Sequence, residues 1–363
     1  KNGGRVDKSM PKRIGNIYDK AIDFYKFKEA YERTSKSKKN KKDRIYFGMY
    51  LEDNIYRIGT DLKQRKYEVG KYSKFKVYIP KEREIYCLNF YDRVVQQWYV
   101  HEFILPHMID KFIVDSYACI KGRGVHGAIN KLQKYMCIAK RKWENPYILK
   151  YDIKKFFYSI DQKKLYEIMC KYYKDKDFLD LTRKFIKFDP ENKNDSEFGV
   201  GIPIGNYTSQ FFANIYMNEL DQFIKHKLRV KYYVRYMDDG VLILESKEKA
   251  KEILKEIEEF VKTELHLELN KKTSYFPLKV GVIFCGYKIY TTHKLLKRAN
   301  IQRMKRRIKN WNKQYRINEN DIEQLNKWRQ SFFAWKGYAK EAEKYNLYKT
   351  LENKCEWIDT EHN

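Results

Sequence analysis

The most constraining feature of the sequence is a pair of adjacent aspartates between two apolar runs. Residues 232–244 read as apolar, then Asp238, Asp239 and Gly240, then apolar again. This pattern predicts a β-hairpin with the carboxylates at its turn. Asp-Gly pairs are common in hairpin turns, but two neighbouring carboxylates repel each other. A fold tolerates such a pair most easily when a cation neutralises it.

A third aspartate ends another apolar run upstream of the hairpin. Residues 147–153 predict a buried strand that carries Asp152 at its end. If that strand lies beside the hairpin in one sheet, the three carboxylates meet at one edge, where their oxygens suit two Mg²⁺ ions. One ion would activate a primer 3′-hydroxyl, and the other would hold a triphosphate and its leaving pyrophosphate. The pattern therefore predicts in-line phosphoryl transfer, with catalysis by positioning and charge stabilisation.

The charge balance indicates a polyanionic partner. The chain of 363 residues contains 76 Lys and Arg against 48 Asp and Glu, a net charge of +28, together with 32 Tyr and 21 Phe. An excess of this size favours a nucleic acid, on whose bases aromatic rings can stack. The alternative interpretation is a solvated lysine-rich surface.

Other classes of protein are disfavoured. No apolar run is long enough to span a membrane and no signal peptide is visible, so no membrane partner is expected. The six cysteines form no Cys-x-x-Cys pair and no zinc-finger spacing, which predicts reduced thiols in a cytoplasmic protein.

Helical and strand periodicities predict an α+β fold. Helical patterns cover about residues 17–31, 92–103, 165–173, 208–228 and 250–265, and the pattern is helical again from about residue 298. Strand patterns cover 72–85, with a turn at 80–83, then 147–153, 232–244 and 282–290. This order fits a split βαβ sheet with helices on one face.

Several segments, in order, resemble the motifs of bacterial reverse transcriptases. Residues 80–85, 92–96 and 115–124 resemble their fingers motifs, and 150–157 (Lys-Tyr-Asp-Ile-Lys-Lys-Phe-Phe) resembles their first catalytic motif. Residues 236–239 (Tyr-Met-Asp-Asp) resemble the second catalytic motif, and 284–289 (Phe-Cys-Gly-Tyr-Lys-Ile) the primer grip. The resemblance covers roughly residues 72–290.

The resemblance implies a right-hand polymerase fold. An N-terminal helical and basic arm is expected at 1–48, and fingers at 49–146. A palm with a split βαβ antiparallel sheet is expected at 147–291, with a fingers-side insertion near 170–200. A short helical thumb is expected at 292–363.

The resemblance also implies roles for individual residues. Asp152, Asp238 and Asp239 would be catalytic and, with the backbone carbonyl of Ile153, would bind two Mg²⁺ ions or Mn²⁺ in their place. Phe157 would exclude a 2′-hydroxyl, and Lys272 would lie beside the leaving pyrophosphate. The expected deoxynucleotide-binding residues are Lys81, Arg83, Phe157, Ile204, Gly205 and Lys272. The expected primer grip is Cys285, Gly286 and Tyr287, and the expected basic thumb face that binds the nucleic-acid backbone is Lys294, Lys297, Arg298, Arg303, Arg306 and Arg307.

Residues 201–210 depart from the pattern of most reverse transcriptases. Ile204 stands where most carry Gln before the glycine, and Ser209-Gln210 stands where most carry Ser-Pro. The same departure is typical of the reverse transcriptases of diversity-generating retroelements, which this chain therefore resembles. Residues 332–347 also resemble the thumb of those enzymes. An apolar side chain lacks the hydrogen bonds of glutamine, which lowers discrimination against mismatched pairs. The resemblance thus implies an error-prone enzyme that makes cDNA from a structured template RNA with a small basic accessory protein.

Other interpretations stay open. A phage-defence or retron-like reverse transcriptase would share the chemistry but serve another purpose. A catalytically idle RNA-binding module is a third interpretation, against which the intact carboxylates argue. An RNA-directed RNA polymerase is disfavoured by Phe157 and by the Tyr-Met-Asp-Asp turn, and a group II intron maturase by the short thumb after Tyr290.

Overall fold

The computed structural model describes residues 13–36, 42–78, 82–189, 197–342 and 345–358. The chain forms two compact units, each built from three stretches. Unit 1 comprises Lys1–Val114, Asp152–Arg229 and Lys255–Lys272, and unit 2 comprises Asp115–Tyr151, Val230–Leu254 and Thr273–Asn363. The boundaries expected for arm, fingers, palm and thumb stay a prediction.

The described residues form helices and short strands. The α-helices are α1 (Tyr18–Ala21), α2 (Phe24–Ser35), α3 (Lys42–Met49), α4 (Leu51–Lys63), α5 (Phe90–Tyr99), α6 (Leu105–Met108), α7 (Val125–Lys142), α8 (Phe156–Ser159), α9 (Gln162–Tyr172), α10 (Lys176–Ile186), α11 (Tyr207–Gln222), α12 (Lys247–Thr263), α13 (Arg298–Tyr315), α14 (Ile322–Tyr338) and α15 (Tyr345–Glu352). The strands are β1 (Ser73–Val77), β2 (Arg83–Cys87), β3 (Tyr147–Tyr151), β4 (Tyr232–Tyr236), β5 (Asp239–Leu244), β6 (Ser274–Pro277), β7 (Val282–Phe284), β8 (Tyr287–Ile289) and β9 (Lys294–Leu296).

Two local predictions are wrong. The single helix predicted over residues 17–31 is split, because the Asp23 carboxylate caps α2 by accepting hydrogen bonds from the backbone N–H groups of Tyr25 and Lys26. Arg83, expected in a turn, is the first residue of β2. Its side chain therefore extends from a strand paired with β1, while the turn residues Pro80 and Lys81 lie outside the described residues.

Unit 2 contains an antiparallel four-stranded sheet in the order β4-β5-β3-β6. The predicted hairpin is confirmed as β4 and β5, and the predicted strand before Asp152 is confirmed as β3. Strand β3 pairs with β5 on one side and with β6 on the other. Its Ile148 and Leu149 are fully buried, and Ile148 packs with Leu132 and Met136 of α7. The central position of β3 and β5 is the one that the carboxylate pattern requires.

A second sheet and the C-terminal helices α13, α14 and α15 also belong to unit 2. Strands β7, β8 and β9 form an antiparallel sheet in that order, which confirms the predicted strand pair at 282–290. Helices α13 and α14 enclose an aromatic core in which Trp357 is fully buried and meets the Trp311 ring edge to face at 5.5 Å. The C-terminal helices thus have a hydrophobic core of their own.

Unit 1 is organised around α5 and α11. Trp98 and Tyr99 of α5 are fully buried; the Trp98 indole N–H donates to the Ala21 carbonyl at 2.8 Å, and the Tyr99 ring stacks on Phe178 at 5.5 Å. Helices α5 and α11 each continue into a short π-helix, Val100–Ile104 and Phe223–Lys227, so both predicted helices are confirmed. None of the helices in the described part of the chain combines the length and the apolar character that crossing a membrane requires.

Candidate functional site

The two-aspartate turn of unit 2 is held in a strained conformation. Tyr236 pairs with Asp239, so Met237 and Asp238 form a two-residue loop between β4 and β5. Met237 has a φ of +57°, a region that costs a non-glycine residue about 1–3 kcal/mol. Arg235 is fully buried and donates from its guanidinium to the Met237 carbonyl at 2.7 Å. This hydrogen bond supports the turn from inside the protein.

Gly240 fixes the end of β3 against this turn. Its Cα faces the Tyr151 ring so closely that a Cβ would overlap the ring carbons and hydroxyl. Tyr151 pairs with Gly240 across the ladder, and its hydroxyl lies 2.5 Å from the Tyr233 hydroxyl. The residue that precedes Asp152 in the sequence is therefore paired with the residue that follows Asp239.

A lysine that sequence reasoning missed lies against the turn. The Lys150 ammonium nitrogen is 3.4 Å from Asp239 Oδ1 and donates to the Ile283 carbonyl of β7 at 3.0 Å. The sequence signal for Lys150 was a charged residue inside an otherwise apolar strand, but the partners of this lysine depend on strand register.

In the described residues, no group of three or more His, Cys, Asp or Glu side chains is arranged to hold a metal ion.

The segment after β3, in unit 1, is anchored through its backbone. The backbone carbonyl of Asp152 accepts a hydrogen bond from the Asn270 N–H at 2.7 Å, and Ile153 forms an antiparallel bridge with Leu269. Lys155 has a φ of +49° and precedes α8. This left-handed residue turns the chain so that Phe157 lies in the first turn of α8.

Unit 1 brings together several residues expected at the nucleotide site. The Phe157 carbonyl accepts from the Ile202 N–H at 2.8 Å, and the Ile204 carbonyl accepts from the Tyr86 N–H at 2.8 Å. Gly205 has a φ of +118°, and a Cβ there would lie 2.8 Å from the Tyr86 carbonyl oxygen. Residues 202–205 therefore pack between Phe157 and β2, the strand that begins at Arg83. A glycine is required at position 205 because the backbone there lies close to strand β2.

Two other expected nucleotide-site residues are less well defined. Lys272 is exposed, and its backbone N–H donates to the Asn270 side-chain oxygen at 3.1 Å. Lys81 lies outside the described residues.

The expected primer grip is the turn between β7 and β8. Cys285 and Gly286 both have positive φ, +48° and +83°. The Tyr338 hydroxyl donates to the Cys285 carbonyl at 2.9 Å, and the Lys297 N–H donates to the Gly286 carbonyl at 2.9 Å. A Cβ on Gly286 would overlap the Tyr338 hydroxyl. Burial, reinforced by the Asp239 charge, raises the pKa of the Cys285 thiol well above its ordinary value. The turn is therefore clamped by α14 and the start of α13.

The expected basic face is mostly exposed, with one exception. The Lys294 side chain is only 12% exposed and pairs with Glu341 at 3.3 Å. Arg307 lies over the Trp311 ring at 4.8 Å and donates to the Ser331 hydroxyl at 2.6 Å, so its guanidinium is preoriented. The exposed members are Lys297, Arg298, Arg303, Arg306 and Arg307.

Comparisons with known proteins address the family and the fold of the chain. The family described as "Reverse transcriptase (RNA-dependent DNA polymerase)" matches residues 72–289. A protein of Saccharomyces cerevisiae, "Putative COX1/OXI3 intron 2 protein", is 24% identical and is matched over 40% of this chain and 24% of its own length. The family match confirms the α+β right-hand polymerase fold class.

A search of solved structures matches telomerases of two Candida species. Truncated apo telomerase from Candida tropicalis has a TM-score of 0.46 at 14% identity, covering 62% of this chain and 54% of its own. Telomerase from Candida albicans in complex with a fragment of telomeric RNA has a TM-score of 0.47 at 10% identity, covering 68% and 51%. The chain thus spans about a quarter of the yeast intron protein and about half of these telomerase chains.

Proposed function

Because the chain belongs to the reverse transcriptase family, we propose that it is an RNA-directed DNA polymerase that copies a template RNA into cDNA from deoxynucleotides. One observation carries the proposal. The strand that leads into Asp152 is central in the sheet and pairs with the strand that begins at Asp239. That register supports a catalytic role for Asp152, Asp238 and Asp239 together.

We assign the same three aspartates, with the Ile153 carbonyl, to divalent metal ions, in the first place Mg²⁺. Although these side chains do not form a three-residue metal cluster in the described part of the chain, their carboxylate oxygens are the hard donors that Mg²⁺ prefers. The packing of Gly240 on Tyr151 restricts the strands that lead to them. When bound, two such ions activate an attacking hydroxyl and stabilise a leaving pyrophosphate. The protein's contribution is to hold the acids in place through the Arg235-supported turn and the β3–β5 register.

The remaining assignments combine position in the structure with the family resemblance. Phe157, Ile204 and Gly205, which pack together beside β2, are assigned to the incoming deoxynucleotide, as is Arg83 of that strand. Lys81, which lies outside the described residues, and Lys272 are assigned to it on the resemblance alone. The clamped turn of Cys285, Gly286 and Tyr287 is assigned to the primer end. The exposed arginines of α13 are assigned to the phosphate backbone, since contacts of this kind fix register without reading sequence.

Primer extension tests the proposal. The purified chain is supplied with an RNA template, a primer, deoxynucleotides and Mg²⁺. Wild type is expected to make DNA, Asp238→Ala to make none, and Asp110→Ala, a change of the same size at an exposed aspartate, to match wild type. DNA synthesis by Asp238→Ala would contradict the assignment.

We further propose that the enzyme is error-prone and serves a diversity-generating retroelement, with a structured template RNA and a small basic accessory protein. The supporting observation is Ile204, whose backbone is fixed by Tyr86 while its half-buried side chain is apolar. Without hydrogen-bonding groups, this side chain offers no penalty against a mismatched pair.

Sequencing of the product tests the second proposal. Wild type is expected to make errors that cluster at template adenines, and Ile204→Gln to lower the error rate about three- to tenfold. Val200→Gln, the same change at an exposed position nearby, should leave the rate unchanged. An error rate that Ile204→Gln does not change argues against the role of Ile204, and a uniformly accurate wild type favours a phage-defence or retron-like enzyme.

A further inference from the structure

Lys150 connects two parts of unit 2 that the proposed function uses separately. Its ammonium group contacts the carboxylate of Asp239 at the β4–β5 turn and the backbone carbonyl of Ile283 in β7, at 3.4 Å and 3.0 Å. Strand β7 leads into the primer-grip turn through Phe284. One cation therefore joins the aspartate turn to the sheet that carries the primer grip.

The two interactions of Lys150 differ in chemistry. The Ile283 carbonyl is a neutral acceptor, and the hydrogen bond to it persists whatever the charge at the turn. The interaction with Asp239 is an ion pair between partly exposed groups, with side-chain exposures of 24% for Lys150 and 36% for Asp239. Exposed pairs of this kind are weak and are readily exchanged for a stronger partner. A divalent cation competes for the same carboxylate and is repelled by the ammonium group.

We propose that Lys150 is a positioning residue that holds Asp239 in the metal-free protein and releases it when a divalent cation binds, while keeping its bond to Ile283. The proposal rests on the proposed function, since it takes Asp239 as a metal ligand. Lys150 thereby lowers the repulsion between Asp238 and Asp239 before metal arrives, at the cost of weaker metal binding. It also keeps β7 attached to the turn in both states.

The test is a titration with Mn²⁺ alone, followed by electron paramagnetic resonance, on the full chain without nucleic acid. Lys150→Gln removes the charge but retains a donor for the Ile283 carbonyl, and is expected to bind Mn²⁺ about two- to fivefold more tightly than wild type. Lys150→Arg keeps the charge and should bind as wild type does. Lys171→Met removes a lysine paired with Glu219 at 2.6 Å elsewhere, and should also leave the affinity unchanged.

Thermal unfolding without metal gives a second readout. Lys150→Met removes both the ion pair and the hydrogen bond, and should unfold at a lower temperature than Lys150→Gln, which removes only the ion pair. Unchanged or weaker Mn²⁺ binding by Lys150→Gln overturns the inference, as does equal unfolding of the Gln and Met variants.

The two proposals fail differently. If wild type polymerises and binds Mn²⁺, and Lys150→Gln binds Mn²⁺ with the same affinity, only the role of Lys150 is overturned. If wild type does not polymerise, and if Asp239→Asn binds Mn²⁺ as tightly as wild type does, the proposed function is overturned and the inference with it.

Discussion

At the scale of single residues, Met237 and Arg235 form one device at the aspartate turn. Met237 has a positive φ that glycine adopts without strain, and the buried Arg235 donates to its carbonyl. We expect Arg235→Gln to lower the free energy of unfolding by about 2–3 kcal/mol, because a buried charge-assisted hydrogen bond is removed. In a Met237→Gly background the decrease should be smaller by roughly 0.5–1 kcal/mol.

Urea unfolding of wild type, both single variants and the double variant measures this coupling. Met49→Gly, at an exposed methionine in α3, serves as the control and should add independently to Arg235→Gln. Strict additivity between Arg235 and Met237 would show that the hydrogen bond does not support the turn.

A second prediction for a single residue concerns His101, which should make the stability of the protein depend on pH. Its pKa is lowered from 6.5 to about 4, first by burial and then by the positive charge of Arg33. Since the folded-state pKa lies below the unfolded value, folding favours the neutral imidazole. Its stabilisation is therefore complete above about pH 6.5 and is lost as the pH falls towards about 4.

Melting temperatures across that interval check this expectation. Wild type should lose more stability on acidification than His101→Gln, which has no imidazole to protonate. His226→Gln, at an exposed histidine, should follow the wild-type profile. Parallel profiles for wild type and His101→Gln would contradict the assignment.

At the scale of elements, the turn between β7 and β8 depends on Gly286. An alanine there must keep a φ of +83° and has no room beside the Tyr338 hydroxyl. We expect Gly286→Ala to lower the free energy of unfolding by about 1–3 kcal/mol. Gly337→Ala is a matched control, because a Cβ at that position in α14 meets no atom within 4 Å. It should be neutral or stabilising by up to about 1 kcal/mol.

Thermal or urea unfolding separates the two glycines. A similar destabilisation in both variants would mean that contact with the Tyr338 hydroxyl is not the reason why position 286 requires a glycine. With primer extension as a second readout, Gly286→Ala should also reduce use of the primer.

The elements show why the sequence predicts some features and not others. Strands β3, β4 and β5 are apolar along most of their length, so their positions follow from hydrophobicity alone. The Asp23 cap was missed because the apolar periodicity continues through it. The interactions of Lys150, Arg235 and Gly240 were missed because they depend on which residues face each other across the sheet, and register is a tertiary property.

At the scale of the whole molecule, the net charge of +28 makes binding to nucleic acid dependent on salt. The double variant Arg303→Ala and Arg306→Ala should bind an RNA–DNA duplex more weakly at every salt concentration. The slope of log affinity against log salt should fall by about 1 for each phosphate that the variant no longer neutralises. Lys171→Ala, which removes a lysine paired with Glu219, should leave the slope unchanged.

Fluorescence anisotropy at several salt concentrations measures these slopes. If the double variant and wild type have the same slope, the arginines of α13 do not bind phosphate, and the basic face is a solvated surface. This outcome would leave the carboxylate site untouched, since none of its residues is changed.

The interleaving of the two units has a consequence for how the chain is made. Unit 1 includes residues 255–272, which leave the ribosome after unit 2 has begun with residue 115. Neither unit can therefore finish folding while the first 254 residues are being synthesised. A nascent chain stalled there would hold two partial cores at once, and a gene cut at any single point would separate stretches that belong to one unit.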